Sequence, residues 1–436
     1  MSDRTKIRRT SLYLLAISLV CMFYIIRSGS VCASERNGES SSSSATRLWV
    51  TAYYPEFGDI SPTPAQIDWT AFTHIVIFTC GMNSSTSPYF REMPGTPDSA
   101  NFDGGYNKKI NWVKAIVDSS HNHGVKALMC IAGLGGSNKV TGPGSTGDME
   151  TVVNTPSMRH AFINYVAGVR GFARRRNLDG FDFDFEFPTG NDTGFKSFIT
   201  ELKDTLSHWP EQGIITTVVP VWQTDVYTND TAWANNNFDQ INVMCYGMAD
   251  GSSITGFNSP VVTDKINYVN YNGTAWFDPI YQFGPWYGWA KHGISKSKIG
   301  CIIPFEMRYI SGNDGPGQTR VGTSSYANYS AVLAAKAANP GSDHWDAISQ
   351  VPWIGYDDAF GKHYYTYENQ LSIQVKVDTI KNGGFGGVGI WELFRGYVPG
   401  SNPPDELLQD VKQAVGGIAI QPDTTQSRNM GKKGNF

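Results

Sequence analysis

The chain is poor in the signals of metal binding and covalent cross-linking. Its 436 residues include six cysteines and eight histidines, with no Cys-x-x-Cys spacing and no His-rich pairing. That pattern argues against a zinc site. The cysteines also lack the clustered spacing of a disulfide framework. Cys80, Cys130, Cys245 and Cys301 each fall in or just after an expected strand. They read as buried thiols acting as small hydrophobes, although an exported chain could oxidise them. Charge is scarce as well. Charged residues make up 17% of the chain and the formal net charge is −4, so there is no electrostatic case for nucleic acid as a partner. The one basic cluster, Arg174-Arg175-Arg176, sits at the end of an expected helix, where cations complement the helix dipole. Apolar residues are plentiful: 40% of the chain is hydrophobic and 13% aromatic, enough for a large core.

The two ends read as something other than folded domain. Lys6, Arg8 and Arg9 precede the apolar run Ser11–Ile26, and Val31-Cys32-Ala33 looks like a small-residue cleavage site. Residues 1–33 are therefore expected to be a signal peptide cut after Ala33, which would take Cys21 and Cys32 with it. An uncleaved anchor is the alternative, though the run falls a little short of a typical span. Residues 34–46 are Ser/Glu-rich and read as a flexible linker. Residues 417–436 are polar and aperiodic and read as a disordered tail.

Against that background one run stands out: Asp179-Gly180-Phe181-Asp182-Phe183-Asp184-Phe185-Glu186. Acid and phenylalanine alternate with period two. On a β-strand that period sends them to opposite faces. Asp182, Asp184 and Glu186 then form one row with neighbours roughly 6.5–7 Å apart, and the three phenylalanines form the other. Asp179 has the wrong parity and belongs to the turn entering the strand. Carboxylates this close raise at least one pKa, which is what a carboxylic general acid requires. An edge strand with a charged solvent face is the bland alternative, and a Mg²⁺ or Ca²⁺ site is another. The surroundings favour catalysis. Phe162, Tyr165, Val166, Val169, Phe172 and Ala173 recur at helical spacing within Ser157–Asn177. Helix, short turn, then strand is the rhythm of a βα repeat with parallel, doubly covered strands.

The rest of the chain repeats that rhythm. Strands are expected at Leu48–Tyr54, His74–Thr79, Lys126–Ile131, Gly180–Glu186, Ile214–Pro220, Gln240–Tyr246, Lys298–Pro304 and Gly387–Glu392. Helical patterns such as Lys109–His123, closed by Gly124, and Leu371–Asn382, closed by Gly383-Gly384, lie between them. Eight such strands predict an α/β fold, a TIM (β/α)8 barrel, over residues 47–416. In it the Phe row packs under helices, and the acids face the barrel axis at the end where such barrels keep their chemistry. Tyr309–Glu368 is too long for an ordinary loop and reads as a short insertion between the seventh strand and the last helix.

The acid run resembles the DGxDxDxE signature of family 18 glycoside hydrolases, and Phe187-Pro188 is similar to the aromatic-proline pair that often follows it. The resemblance extends from about Trp49 to Ala414. It implies Glu186 as the acid that protonates the glycosidic oxygen, Asp184 as the acid contacting the substrate's acetamido group, and Asp182 as its charge-sharing partner. Lys126–Gly133 is similar to the third-strand motif ending Ser-Ile-Gly-Gly, with Cys130 and Ala132 as small replacements. Val243–Gly247 resembles Met-x-Tyr-Asp, which makes Tyr246 the acetamido hydrogen-bond donor. Gly247 stands where the family has Asp, and Asp250 is a candidate substitute. Ile303–Arg308 resembles Pro-x-Tyr-Gly-Arg with departures at Glu306 and Met307, and Arg308 is carried over as a substrate-binding residue. Trp391 matches the tryptophan floor beneath the −1 sugar. Tyr53 and Trp222 are further candidates for stacking on sugar, and Asp179 would be a structural acid at the strand entrance, grouped with the substrate-binding residues.

The resemblance implies hydrolysis of β-1,4-linked N-acetylglucosamine polymers such as chitin, with retention. Acids supplied from one strand lie on one side of the scissile bond, so the substrate's own acetamido oxygen would serve as nucleophile, as in the known substrate-assisted exceptions. No metal and no organic cofactor is implied, and the secreted chain is expected to act as a monomer free of the membrane. Two other readings stay open: an endo-β-N-acetylglucosaminidase acting on N-glycans or cell-wall glycans, and a non-catalytic chitin-binding lectin on the same fold. Many chitinases carry a small α+β insertion where Tyr309–Glu368 lies, walling one side of the cleft, and this segment looks short for one. No Cys-rich or repeated aromatic module suggests a separate carbohydrate-binding domain.

Overall fold

A computed structural model describes residues 47–55, 62–82, 84, 90–92, 108–133, 146–185, 193–221, 225–248, 253–261, 289–290 and 292–416. The leader, linker and tail assignments lie outside the described residues, as do Glu186, Trp222 and Asp250. Among the described residues, no helix is long and apolar enough to cross a membrane.

Eight parallel strands close a barrel. They are β1 (Trp49–Pro55), β2 (His74–Met82), β4 (Lys126–Gly133), β5 (Gly180–Phe185), β6 (Ile214–Pro220), β7 (Gln240–Met244), β8 (Ile299–Pro304) and β14 (Gly387–Trp391). Their order is β1-β14-β8-β7-β6-β5-β4-β2, and pairing of β1 with β2 closes the ring. A short strand, β3 (Phe90–Glu92), adds antiparallel to the end of β2. Each expected barrel strand is found within a few residues of its predicted bounds.

Two apolar cores follow from the period-two alternation. The outer core lies between barrel and helices. Phe181, Phe183 and Phe185 are fully buried there, with Phe183 and Phe185 packed against Phe195 at centroid distances of 6.4 and 5.2 Å. The inner core fills the barrel and holds Tyr53, Val76, Phe78, Leu128, Cys130, Ala132, Val218 and Ile302. Gly180 opens β5 because β6 runs too close for a side chain: a Cβ there would lie 1.9 Å from the Ile214 carbonyl oxygen.

The helices Lys108–Asn122 and Gln370–Gly383 stop at the expected glycines, Gly124 and Gly384, both at positive φ. The single helix expected over Ser157–Asn177 is two helices, Pro156–Ala167 and Phe172–Arg176. Gly168 and Gly171 take extended backbone with ψ of 171° and 169°, which breaks the hydrogen-bond ladder. Val169, matched to the apolar face by spacing, is consequently 92% exposed.

The segment after β8 is more elaborate than expected. It contains β9 (Met307–Ser311), β10 (Ser324–Ala327), β11 (Asp343–Asp346), β12 (Val351–Asp358) and β13 (Gly361–Thr366), plus the helix Tyr329–Ala338. The strands form an antiparallel sheet in the order β10-β9-β13-β12-β11. A length judged short for an α+β unit thus accommodates five strands, because hairpins need only a few residues per turn. A buried ion pair fastens the end of this insertion to the barrel. Lys376 Nζ bonds Glu368 Oε1 and, at 3.0 Å, Ser259 Oγ, whose hydroxyl in turn donates to the Cys245 carbonyl.

Candidate active site

Strand register decides what stands beside the acids. Cys130 pairs with Asp182 and Ala132 with Asp184 across β4–β5, and Asp182 pairs with Thr216 across β5–β6. The small side chains of β4 leave the inner layer room around the carboxylates. Asp182 and Asp184 are both buried. Asp182 Oδ1 accepts a short hydrogen bond from Thr216 Oγ1 and a longer one, 3.4 Å, from Tyr53 OH.

Burial dominates the electrostatics. It pushes the Asp182 pKa up to about 6, even though hydrogen bonds from Thr216, Cys130 and Tyr53 favour the ionised form. The Tyr53 hydroxyl is raised well above its ordinary value, first by burial and then by the nearby Asp182, Cys130, Asp184 and Tyr246. The Cys130 thiol is raised by burial and by the two aspartates. Asp182, Tyr53 and Cys130 therefore share one low-dielectric chamber with Asp184 and Tyr246, and burial favours the protonated forms of the first three.

Trp391 and Tyr246 complete the described part of the chamber. Both are half-buried and pack on the inner core. The Trp391 ring lies 4.8 Å from Phe78, edge to face, and 5.7 Å from Tyr53. Its orientation is thus fixed by two neighbours from β1 and β2. Gly247, just after β7, adopts φ of +79°. Its backbone N–H donates to Asn258 Oδ1 at 3.0 Å, and Asn258 Nδ2 reaches the Glu306 carbonyl at 3.4 Å.

The structure thus brings Asp182, Asp184, Tyr53, Tyr246 and Trp391 together. Tyr53, expected as a stacking surface, instead donates a hydrogen bond to Asp182. Asp179 stands where a structural acid at the strand entrance is expected, away from the substrate-side residues it is grouped with. It precedes β5 at the opposite mouth of the barrel, hydrogen-bonded to His121 Nε2 (2.8 Å), Lys126 Nζ (2.9 Å) and the Ala127 N–H (2.8 Å). Burial would raise its pKa, but those bonds outweigh it and hold the carboxyl below its ordinary range. Its work is to tie strand entrances together, not to meet a substrate beside Asp184. Arg308 is placed on β9 of the insertion, buried, with its guanidinium 3.5 Å from the centre of the Tyr326 ring. Thr216 and Phe78 are functional neighbours that the sequence reading missed. The alternation within Ile214–Pro220 points Thr216 inward, but only the β5–β6 register sets it against Asp182.

Comparison with known proteins agrees with this architecture. The model of Glycosyl hydrolases family 18 matches residues 50–396. A probable endochitinase of Caenorhabditis elegans is 25% identical over 279 residues, covering 57% of this chain and 43% of that protein. The chain thus spans about half the length of the curated relatives it matches first. A plant class V chitinase from Cycas revoluta, solved as a mutant in complex with (GlcNAc)3, superposes with a TM-score of 0.65 at 18% identity. The match covers 84% of this chain and 100% of that one. A chitinase-like agglutinin from Robinia pseudoacacia superposes with a TM-score of 0.63 at 19% identity, covering 84% and 99%. At these identities the structural likeness establishes the barrel fold.

Proposed function

The chain belongs to family 18 of the glycosyl hydrolases, and from that premise we propose that it is a secreted enzyme cleaving β-1,4-linked N-acetylglucosamine polymers by substrate assistance. The observation that carries the proposal is the inward acid row: Asp182, buried and bonded to Thr216 and Tyr53, stands beside Asp184 and Trp391, and burial pushes its pKa up to about 6. Residues 1–33 provide the export signal.

In this mechanism the −1 sugar rests on Trp391. Tyr246 donates a hydrogen bond to its acetamido carbonyl, and Asp184 accepts from the acetamido N–H. The carbonyl oxygen attacks the anomeric carbon and forms an oxazolinium ring. As the C–O bond to the leaving sugar breaks, Glu186 passes its proton to the departing oxygen. Asp182 shares a proton with Asp184, which keeps Asp184 able to balance the positive charge of the ring. Glu186, now a carboxylate, takes a proton from water as that water opens the ring, and the anomeric configuration is retained. The raised Asp182 pKa supports this division of labour, because burial disfavours a second full negative charge in the chamber.

A binding-only role is the second reading. Gly247 favours it, because a backbone turn at +79° presents no side chain to the −1 sugar. A product assay on N-acetylglucosamine oligomers, beside a high-mannose glycoprotein, separates these readings. The wild-type chain is expected to release short N-acetylated fragments with β anomers, while Glu186→Gln binds the oligomers and loses turnover by about 10²–10⁴-fold or more. Binding without products in the wild type would establish the lectin, and release of glycan from the glycoprotein alone would establish the endoglycosidase.

A further inference from the structure

At the opposite mouth of the barrel from the acid row, the entrances of β4, β5 and β6 frame a cavity of about 480 Å³. That volume lies within the range of small-molecule sites. Three helices, Lys108–Asn122, Phe172–Arg176 and Thr193–Ser207, end around it. Their C-terminal carbonyls make the surroundings unfavourable to an anion.

Both of its acids are already paired. Lys126 Nζ bridges Asp179 and Glu211 at 2.9 and 3.2 Å. His121 spans Asp179 and Asn177 at 2.8 and 2.9 Å. This leaves no vacant acid pair for a cation. What remains is a different kind of surface. The Trp209 indole is half-buried and fixed by its Nε1–H, which donates to the Ala167 carbonyl at 3.0 Å. Beside it, Gln212 is exposed and makes no hydrogen bond among the described residues. Arg174 lies 5.5 Å over the indole, is exposed, and has no acid partner among the described residues.

A fixed indole flanked by exposed planar donors and acceptors, with Lys126 and Arg174 balancing Asp179 and Glu211, suits a neutral hydroxylated ligand. The apolar face of a sugar ring packs on an aromatic once Arg174 swings off the indole face it covers at 5.5 Å, and the ring hydroxyls then take amide and guanidinium partners. We propose that this cavity is a second, non-catalytic carbohydrate site that holds one or two sugar units at a glycan end. The choice of N-acetylglucosamine units rests on the function proposed above; the preference for a neutral polyol does not. A chain end held here cannot at the same time enter the acid chamber at the other mouth, so the site holds the enzyme on glycan while a different chain end is cut.

The test uses the full-length Glu186→Gln protein labelled with 5-fluorotryptophan, with the Trp209 and Trp391 ¹⁹F resonances assigned through their Phe variants. N,N′-diacetylchitobiose is titrated in. The Trp209 resonance is expected to shift saturably. Arg174→Ala with Gln212→Ala, both at exposed positions, is expected to weaken that event by about tenfold or more. The same pair in the active chain should leave hydrolysis of soluble oligomers unchanged. A Trp209 resonance that stays still while Trp391 moves would overturn the proposal and leave the active-site reading intact. Movement at Trp209 without movement at Trp391 would support the second site and count against that reading. A Trp209 shift that the double variant leaves untouched, or that sodium acetate reproduces at equal ionic strength, would also overturn it.

Discussion

Replacing Asp182 with Asn is expected to stabilise the fold at neutral pH while lowering activity. The side chain is fully buried, and burial raises its pKa from 3.8 to about 6. At about 1.4 kcal/mol per tenfold change, that rise corresponds to about 3 kcal/mol of differential stability between the neutral and ionised forms. The sign follows from the direction of the shift. Because the folded-state pKa lies above the unfolded one, the acid's contribution is fully present below about pH 4 and is lost as the pH rises through about 6. Asparagine cannot ionise, and its Oδ1 can still accept from Thr216 and Tyr53, as Asp182 Oδ1 does. Its amide must then occupy the place of Asp182 Oδ2, which has no hydrogen-bond partner among the described residues. An unsatisfied buried donor costs about 1–3 kcal/mol, so the net gain at pH 7 is expected to be about 0–2 kcal/mol. The firmer quantity is the pH dependence. The stability difference between variant and wild type should move in the variant's favour by about 2–3 kcal/mol between pH 4 and pH 7. Urea denaturation at a series of pH values measures it, because contributions from all other groups cancel in the difference. A flat difference across that range would refute the placement of a proton on Asp182.

The buried pair of Lys376 and Glu368 gives a second test: Lys376→Met should cost about 3–5 kcal/mol by stranding the Glu368 carboxyl, and adding Glu368→Leu should recover most of it in the same denaturation assay. A single-variant cost near zero would show that the pair does not stay closed. Dialysis against EDTA should leave hydrolysis unchanged, whereas loss restored by Mg²⁺ or Ca²⁺ would revive a metal role for the acid row. Fully deacetylated chitosan should be inert, and a partly acetylated polymer should yield only N-acetylated new reducing ends. Mass spectrometry of the fragments reads this directly, and cleavage after deacetylated units would rule out the acetamido oxygen as nucleophile. Replacing Tyr246 with Phe should lower kcat more than it raises KM, because its hydroxyl is assigned to the reacting amide rather than to ground-state binding.

The period-two run of Gly180–Phe185 was legible because alternation on a strand is a purely local consequence of backbone geometry. It sent three phenylalanines under the helices and two aspartates into the barrel without reference to any distant residue. The eight apolar runs and the glycines closing their helices were legible for the same reason. The sheet inside the insertion was not, since its strands of four to eight residues carry little signal singly and are stabilised by cross-strand pairing. The break at Gly168–Gly171 was hidden by an apolar spacing that happens to continue across it.

Sequence alone therefore determined the barrel and the face on which the acids stand, because both follow from local periodicity. Only the tertiary structure decided their chemistry. Thr216 and Cys130 reach Asp182 through the register of neighbouring strands, and Tyr53 reaches it across the barrel. The pKa of that carboxyl is set by how completely those neighbours exclude water. Local parity already put Asp179 in the turn entering β5, but only the packed structure supplied its partners there, His121, Lys126 and Ala127. Long-range packing selects among partners that local spacing treats as equivalent.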